Sequence, residues 1–357
     1  SSQALTRNLQ MGGTTAPSIA PMNIDAEDFL FSQIRLRFDA DLTENVSTVL
    51  QVINERLWSE SAANNVDDID VDLAYVRLDE FMNEDVALII GRQNIYLGNG
   101  LVVGDAQTNQ AAPAGVPLAI RDLSMRKSFD AARVDWDLAP WTISTFYAKP
   151  LEGATNLRDD VTLVGTNANY AWNDFNGETE LYVLHQQNEA ITEGTAIVTA
   201  VGAFQPRENQ SKTLVGGGRV QWDPSDKWTV GIEGAWQMGD ANMQLAGLPN
   251  DKHRDAFAGQ LNLEYRYLND YDTTLKLNYT YLSGNDDISD GDFNAWDPMF
   301  EDQTPGEILN ILFANTNMMY VKVCGTMMPR EDLTLGLSYT WAKLAEKSQA
   351  GNATAYS

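Results

Sequence analysis

Residues 255–282, DAFAGQLNLEYRYLNDYDTTLKLNYTYL, alternate with a period of two on both sides of a short polar turn, and that period decides what the chain can fold into. Phe257, Leu261, Leu263, Tyr265 and Tyr267 fall on one face of the first arm, and Ala256, Ala258, Gln260, Asn262, Glu264 and Arg266 on the other. Past Leu268-Asn269-Asp270, Tyr271, Leu275, Leu277, Tyr279 and Tyr281 share a face opposite Asp272, Thr274, Lys276, Asn278 and Thr280. This is a strand hairpin with one apolar face and one face that reads as polar throughout.

A soluble sandwich also alternates in this way, so length and aromatic placement must choose. Each arm approaches the roughly 9 to 11 residues that cross a bilayer obliquely, whereas ordinary globular strands have about 5 or 6. Tyr267 and Tyr271 bracket the turn, where a membrane interface would lie. The polar face mixes small, hydrogen-bonding and charged side chains, which suits the inner wall of a pore.

The pattern repeats. Ile34, Leu36 and Phe38 alternate with Arg35, Arg37 and Asp39, and a return strand runs from Val46 to about Trp58. Val71 to Phe81 pairs with Val86 to about Leu97, with Ala74, Val76 and Leu78 opposing Leu73, Tyr75, Arg77 and Asp79. In the return strand the phase of Val86, Leu88 and Ile90 points Arg92 at lipid, which is costly at midplane depth. Gly91 is a candidate bulge that would reset the phase, so the direction of Arg92 stays open. Ala132, Val134 and Trp136 oppose Arg133, Asp135 and Asp137. Further hairpins turn after Trp172 and after Trp222, and the last returns as Leu333 to Leu344.

Short turns on one rim and longer segments on the other (59–70, 98–127, 149–160, 187–211, 239–254, 284–316) give the asymmetry of an outer-membrane barrel. The expected fold is all-β: a transmembrane antiparallel up-and-down barrel of about 16 to 18 strands with short periplasmic turns and long extracellular loops. It forms one domain over residues 1–357, with a weakly patterned start at 1–30. Fifteen strands are recognisable, the first a frayed one within residues 3–10, and closure calls for at least one more beyond Ser357. Segment 98–127 is too long for an idle connection and is expected to cap the pore or fold into it. Mean hydropathy of −0.31 does not oppose a barrel, which carries its apolar residues at every second position.

The inward positions expected to line the pore are Arg35, Arg37, Asp39, Arg77, Asp79, Arg133, Asp135, Arg219, Glu233, Glu264, Arg266, Lys276 and Lys322. A net charge of −26 excludes nucleic acid as a partner. Carboxylates gather in the long segments, most densely from Asp286 to Asp302. Within them Asp286, Asp287, Asp290 and Asp292 form a weak calcium candidate, with Ile288 in a ligand position and the distal glutamate out of register. No other cofactor is expected. His185 and His253 lie on different hairpins without a nucleophile in spacing, so an enzyme is not expected. Gly216-Gly217-Gly218 precedes no helix and reads as a place of close strand approach or bending.

Arg35-Leu36-Arg37-Phe38-Asp39-Ala40 with Asn54-Glu55-Arg56-Leu57-Trp58, Gly91-Arg92-Gln93 running into Leu97-Gly98-Asn99-Gly100, and Ser283-Gly284-Asn285-Asp286-Asp287 through Phe293-Asn294-Ala295-Trp296-Asp297-Pro298-Met299-Phe300 resemble the alginate-export family of outer-membrane barrels. The resemblance covers most of the chain. It implies a monomeric antiparallel barrel that passes an anionic polysaccharide or small solutes. Export of a polyuronate favours a strongly cationic lumen, whereas here the inward arginines are matched by carboxylates. The expected function is therefore a porin-like channel for small polar solutes or ions, with anionic polysaccharide export as an extension. The competing reading is a structural barrel whose acidic loops scaffold a surface-protein partner. The lipid and lipopolysaccharide of the outer membrane surround the wall in either case.

Overall fold

The computed structural model describes residues 31–57, 69–106, 124–151, 160–172, 175–188, 211–242, 251–286, 291–303, 305 and 315–346. The expected strand within residues 3–10 and the segment after 346 lie outside them. Fourteen strands form one continuous antiparallel sheet: β1 Phe31–Thr43, β2 Val46–Leu57, β3 Ile69–Leu78, β4 Val86–Gln93, β5 Phe129–Leu138, β6 Trp141–Leu151, β7 Val161–Ala171, β8 Glu178–Asn188, β9 Ser211–Ser225, β10 Trp228–Asn242, β11 Asp251–Arg266, β12 Thr274–Leu282, β14 Met318–Arg330 and β15 Leu333–Leu344. The two-residue β13, Asp292–Phe293, lies parallel to the upper end of β11. Each strand of the wall pairs with its neighbours in sequence, β12 joining β14 directly, and among the described residues β1 and β15 are not paired with each other. Tyr267 and Tyr271 fall in the turn between β11 and β12 rather than on the strands.

The two faces differ as the alternation requires. Ile34, Leu36 and Phe38 on β1, Leu181 and Val183 on β8, and Ile232 and Trp236 on β10 are exposed on the outer face. So much apolar surface on successive strands is what a wall in lipid presents, since soluble monomers expose only limited patches. Aromatic rings bound this band. Near the short turns Trp141 stacks against Tyr170 at 4.9 Å between centroids, and Trp228 against Tyr265 at 4.7 Å. Near the long segments Trp236 pairs with Phe257 across β10 and β11. Trp228 and Trp236 are eight residues apart, about 27 Å along a strand and about 20 Å along the membrane normal at a tilt near 40°.

Above the upper aromatic ring one register row of the outer face is polar on eight consecutive strands: Arg92, Asp130, Lys149, Thr162, Gln187, Lys212, Asp240 and His253. The lysine–threonine step of that row crosses an irregularity in the β6–β7 pairing. This settles the direction of Arg92. Gly91 takes a positive φ of 123°, yet Tyr75↔Gly91 and Ala74↔Arg92 continue the register, so the phase is not reset. Arg92 faces outward, at the rim rather than the midplane, with its Nε 3.6 Å from Asp130. His185 also faces outward, one row lower.

The inner face is not polar throughout. Towards the long segments it carries Phe146, Ala148, Leu163, Leu184, Val215, Ala235, Ala256 and Ala258, all buried. Their burial comes from two segments that fold inward, 94–106 and 294–303.

Candidate functional site: an in-folded strap across the lumen

Segment 94–106 leaves β4 and turns into the barrel, as expected for part of 98–127; residues 107–123 are not among those described. Ile95, Leu97, Leu101, Val102 and Val103 are at most 3% exposed and share one apolar cluster with the inner wall and with Trp296, Met299 and Phe300. The two segments are bonded through their backbones. Phe300 N donates to Val102 O at 3.1 Å, Gly104 N to Phe300 O at 2.8 Å and Asp302 N to Gly100 O at 2.8 Å. Phe129 meets Phe300 edge-on at 5.8 Å. Burial of several large apolar side chains at about 1.5–3 kcal/mol each holds this strap in place.

Its tip is fixed by two carboxylates on the wall. Glu180 accepts the Gly98 amide at 2.9 Å, and Glu233 accepts the Asn99 amide at 2.7 Å and the Tyr182 hydroxyl at 3.0 Å. Gly98 has φ +58°, and a Cβ there would run into the Glu233 carboxylate, so a side chain is excluded twice over. These amide–carboxyl bonds fasten the strap tip to β8 and β10. On β9, Gly217 leaves the space that the Tyr182 ring occupies, because a Cβ there would stand 2.5 Å from it. The close approach expected at the glycine triplet is thus between a side chain and the neighbouring backbone.

A further inward segment is tied down on the opposite side. Glu55 accepts Ser124 Oγ at 2.7 Å and Met125 N at 2.8 Å, and Arg126 meets Asp70 at 2.6 Å. The three stretches that carried the family resemblance therefore meet in one structure: the strap tip, the segment bonded to it, and the β1–β2 hairpin holding residues 124–126.

Below the strap, towards the short turns, the inner face changes character. The sequence repeats Arg-x-Asp at Arg37–Asp39, Arg77–Asp79 and Arg133–Asp135, and a period of two puts both members on one face. They pair at 2.8, 2.7 and 2.9 Å. Arg35 meets Asp72 at 3.1 Å, Arg219 pairs with Glu178, and Glu264 accepts from both Arg266 at 2.8 Å and Lys276 at 2.9 Å. Lys322 lies on the same face of β14, in register with Asn278. Every residue expected to line the pore is on the inner face, but Glu233 belongs to the buried strap anchor and not to the open wall. Between these ion pairs runs an amide row: Asn278 donates to Asn262 at 2.6 Å, Asn262 to Gln260 at 3.0 Å, and Gln260 to Gln303 at 2.6 Å.

Of the calcium candidates, Asp286 and Asp292 are described while Asp287 and Asp290 are not, and no cluster of three ligating side chains occurs among the described residues. Glu233 was expected on the pore wall, but its role as an anchor of the strap, with Glu180, was not read from the sequence. The signal available was Leu101-Val102-Val103, an apolar run inside a Gly-rich connection that has to be buried against something.

Among curated proteins none is significantly similar in sequence. Solved structures with some similarity include the outer membrane channel DcaP of Acinetobacter baumannii, at 11% identity and a TM-score of 0.49 over 87% of this chain and 78% of that one. An engineered triple mutant of the Rhodopseudomonas blastica porin matches at 10% identity and a TM-score of 0.43, over 88% and 86% of the two chains. The sequence profile described as "Alginate export" matches residues 19–356. With its antiparallel wall and apolar outer face, the chain is an outer-membrane β-barrel and belongs to the alginate export family.

Proposed function

We propose that the chain forms a channel for small polar solutes and ions whose width is set by the strap. The observation that supports this reading is the pairing of each guanidinium on the wetter half of the inner face with a carboxylate, at Arg35, Arg37, Arg77, Arg133, Arg219 and Arg266. Such a wall presents donors and acceptors at close spacing without a cationic track for a polyanion. The carboxylates clustered from Asp286 to Asp292, ahead of the in-folded residues 294–303, give the outer mouth a field that enriches cations within about 8 Å at physiological salt. The resulting preference is weakly cationic and fades as salt rises.

Cys324 offers a test without an engineered label. It lies on the inner face of β14, in register with Lys276 and Ser338, and is the only cysteine of the chain. In planar bilayers, a charged methanethiosulfonate reagent is expected to lower the conductance of the complete barrel and to leave Cys324→Ser unaffected. A barrel that never conducts would favour the scaffold instead. Strong anion selectivity at low salt, or tight polyuronate binding, would favour polysaccharide export.

A further inference from the structure

The strap buries its side chains unequally. Ile95 and Leu97 are 2% and 3% exposed, whereas Tyr96 between them keeps 53% of its surface. Its ring therefore turns away from the apolar cluster. The back of the ring lies on bare backbone: a Cβ at Gly100 would stand 2.8 Å from the phenol oxygen, and one at Gly104 would stand 2.9 Å from Cε2. Asp302 adjoins the same two glycines and is paired with Lys127. On the other flank is the amide row. Asn99 donates to Gln260 at 3.2 Å, and Gln303 donates to the Asn99 carbonyl at 2.5 Å. An aromatic ring fixed from behind and open in front thus lies on the same strap as Asn99, whose side chain joins the mutually bonded amides of Gln260 and Gln303, and next to one neutralised ion pair.

We propose that Tyr96 is the stacking platform of a subsite for an uncharged sugar ring at the strap, a reading that rests on the channel function and narrows its solute class. A pyranose has a face of polarised C–H groups and a rim of hydroxyls that each donate and accept. The negative face of an aromatic ring complements the first. Side-chain amides, which carry both donors and an acceptor, complement the second. A uronate ring would bring a carboxylate to a place where Lys127 is already paired with Asp302 and Arg219 with Glu178, so neither cation is left to receive it.

The test uses the complete protein and maltotriose, a neutral linear trisaccharide. Maltotriose should interrupt the ion current through single barrels, and Tyr96→Ala should weaken that block about fivefold while Tyr96→Phe keeps it within about twofold. Calorimetric titration of maltotriose into the detergent-solubilised barrel reads the same subsite without current and should give the same ranking. Equal affinity in wild type and Tyr96→Ala, or tighter binding of a uronate trisaccharide than of maltotriose, would overturn the proposal. A barrel that carries no current yet binds maltotriose through Tyr96 would remove the channel reading and keep the subsite.

Discussion

The two halves of the inner wall are written in the same alternation and end in opposite environments. On β11, Ala256 and Ala258 lie under the strap at no more than 1% exposure, while Asn262 and Glu264, four to eight residues further along the same face, border the amide row and the ion pairs. A period of two tells which face a residue takes but not what covers that face. In the upper half the covering is protein, and in the lower half the side chains pair with one another along a strand or between neighbouring strands.

The sharpest way to break this comparison is to place one charge in each half. Ala258→Arg buries an uncompensated guanidinium in the apolar cluster and should cost about 3 kcal/mol or more, whereas Asn262→Arg has water and Glu264 nearby and should change stability little. Urea titration of the folded barrel in lipid, followed by heat-modifiable electrophoretic mobility, separates the two. Equal costs would mean that the strap is not seated. On the outer face, Ile232→Arg should cost about 2–4 kcal/mol if the residue sits near the bilayer midplane, against little for Thr229→Arg on the inner face. Indifference at Ile232 would place that surface in water.

A smaller effect sharpens the boundary between the halves. Gly217→Ala forces the Tyr182 ring to move although its hydroxyl is held by Glu233, and should cost roughly 1–3 kcal/mol. At Gly216 a Cβ meets nothing within 4 Å, so Gly216→Ala serves as the matched control. Removing the anchors themselves, in Glu180→Gln with Glu233→Gln, should weaken the hold on the strap tip by roughly 1–2 kcal/mol and raise conductance and open-channel noise. Unchanged conductance would mean that the strap does not limit the passage.

The strands were legible because their apolar side chains face a uniform medium. Lipid demands the same thing of Ile232, Leu261 and Leu277, so the period survives along whole strands and the hairpins can be read one by one. The length of segment 98–127 pointed to an in-folded element, but its points of attachment were not legible because they are remote in sequence: Gly98 is held by Glu180 and Asn99 by Glu233, and nothing local in Leu97-Gly98-Asn99-Gly100 specifies a carboxylate 82 or 134 residues away. Arg92 stayed open for a related reason. Its cost depends on depth, and depth follows from the register of eight strands and not from the alternation of one.

The smallest expected effect concerns the wet half alone. Arg77 and Asp79 pair at 2.7 Å on the inner face of β3, and Arg77 also lies 3.8 Å from Asp135. Both members of the first pair are more than a third exposed, so water already screens them and the pair contributes less than about 1 kcal/mol. Asp79→Asn should therefore leave urea stability nearly unchanged. Its effect on permeation is another matter, because removing one carboxylate leaves a guanidinium on the wall without its nearest partner, and the field of that charge acts on each ion that passes. The reversal potential in a tenfold salt gradient should move towards anions, most at low salt, with the shift shrinking as the Debye length contracts from about 30 Å at 0.01 M to about 3 Å at 1 M. Arg77→Gln should move it the other way, further towards cations. If both substitutions alter stability and neither alters selectivity, these ion pairs hold strands together and do not line a path.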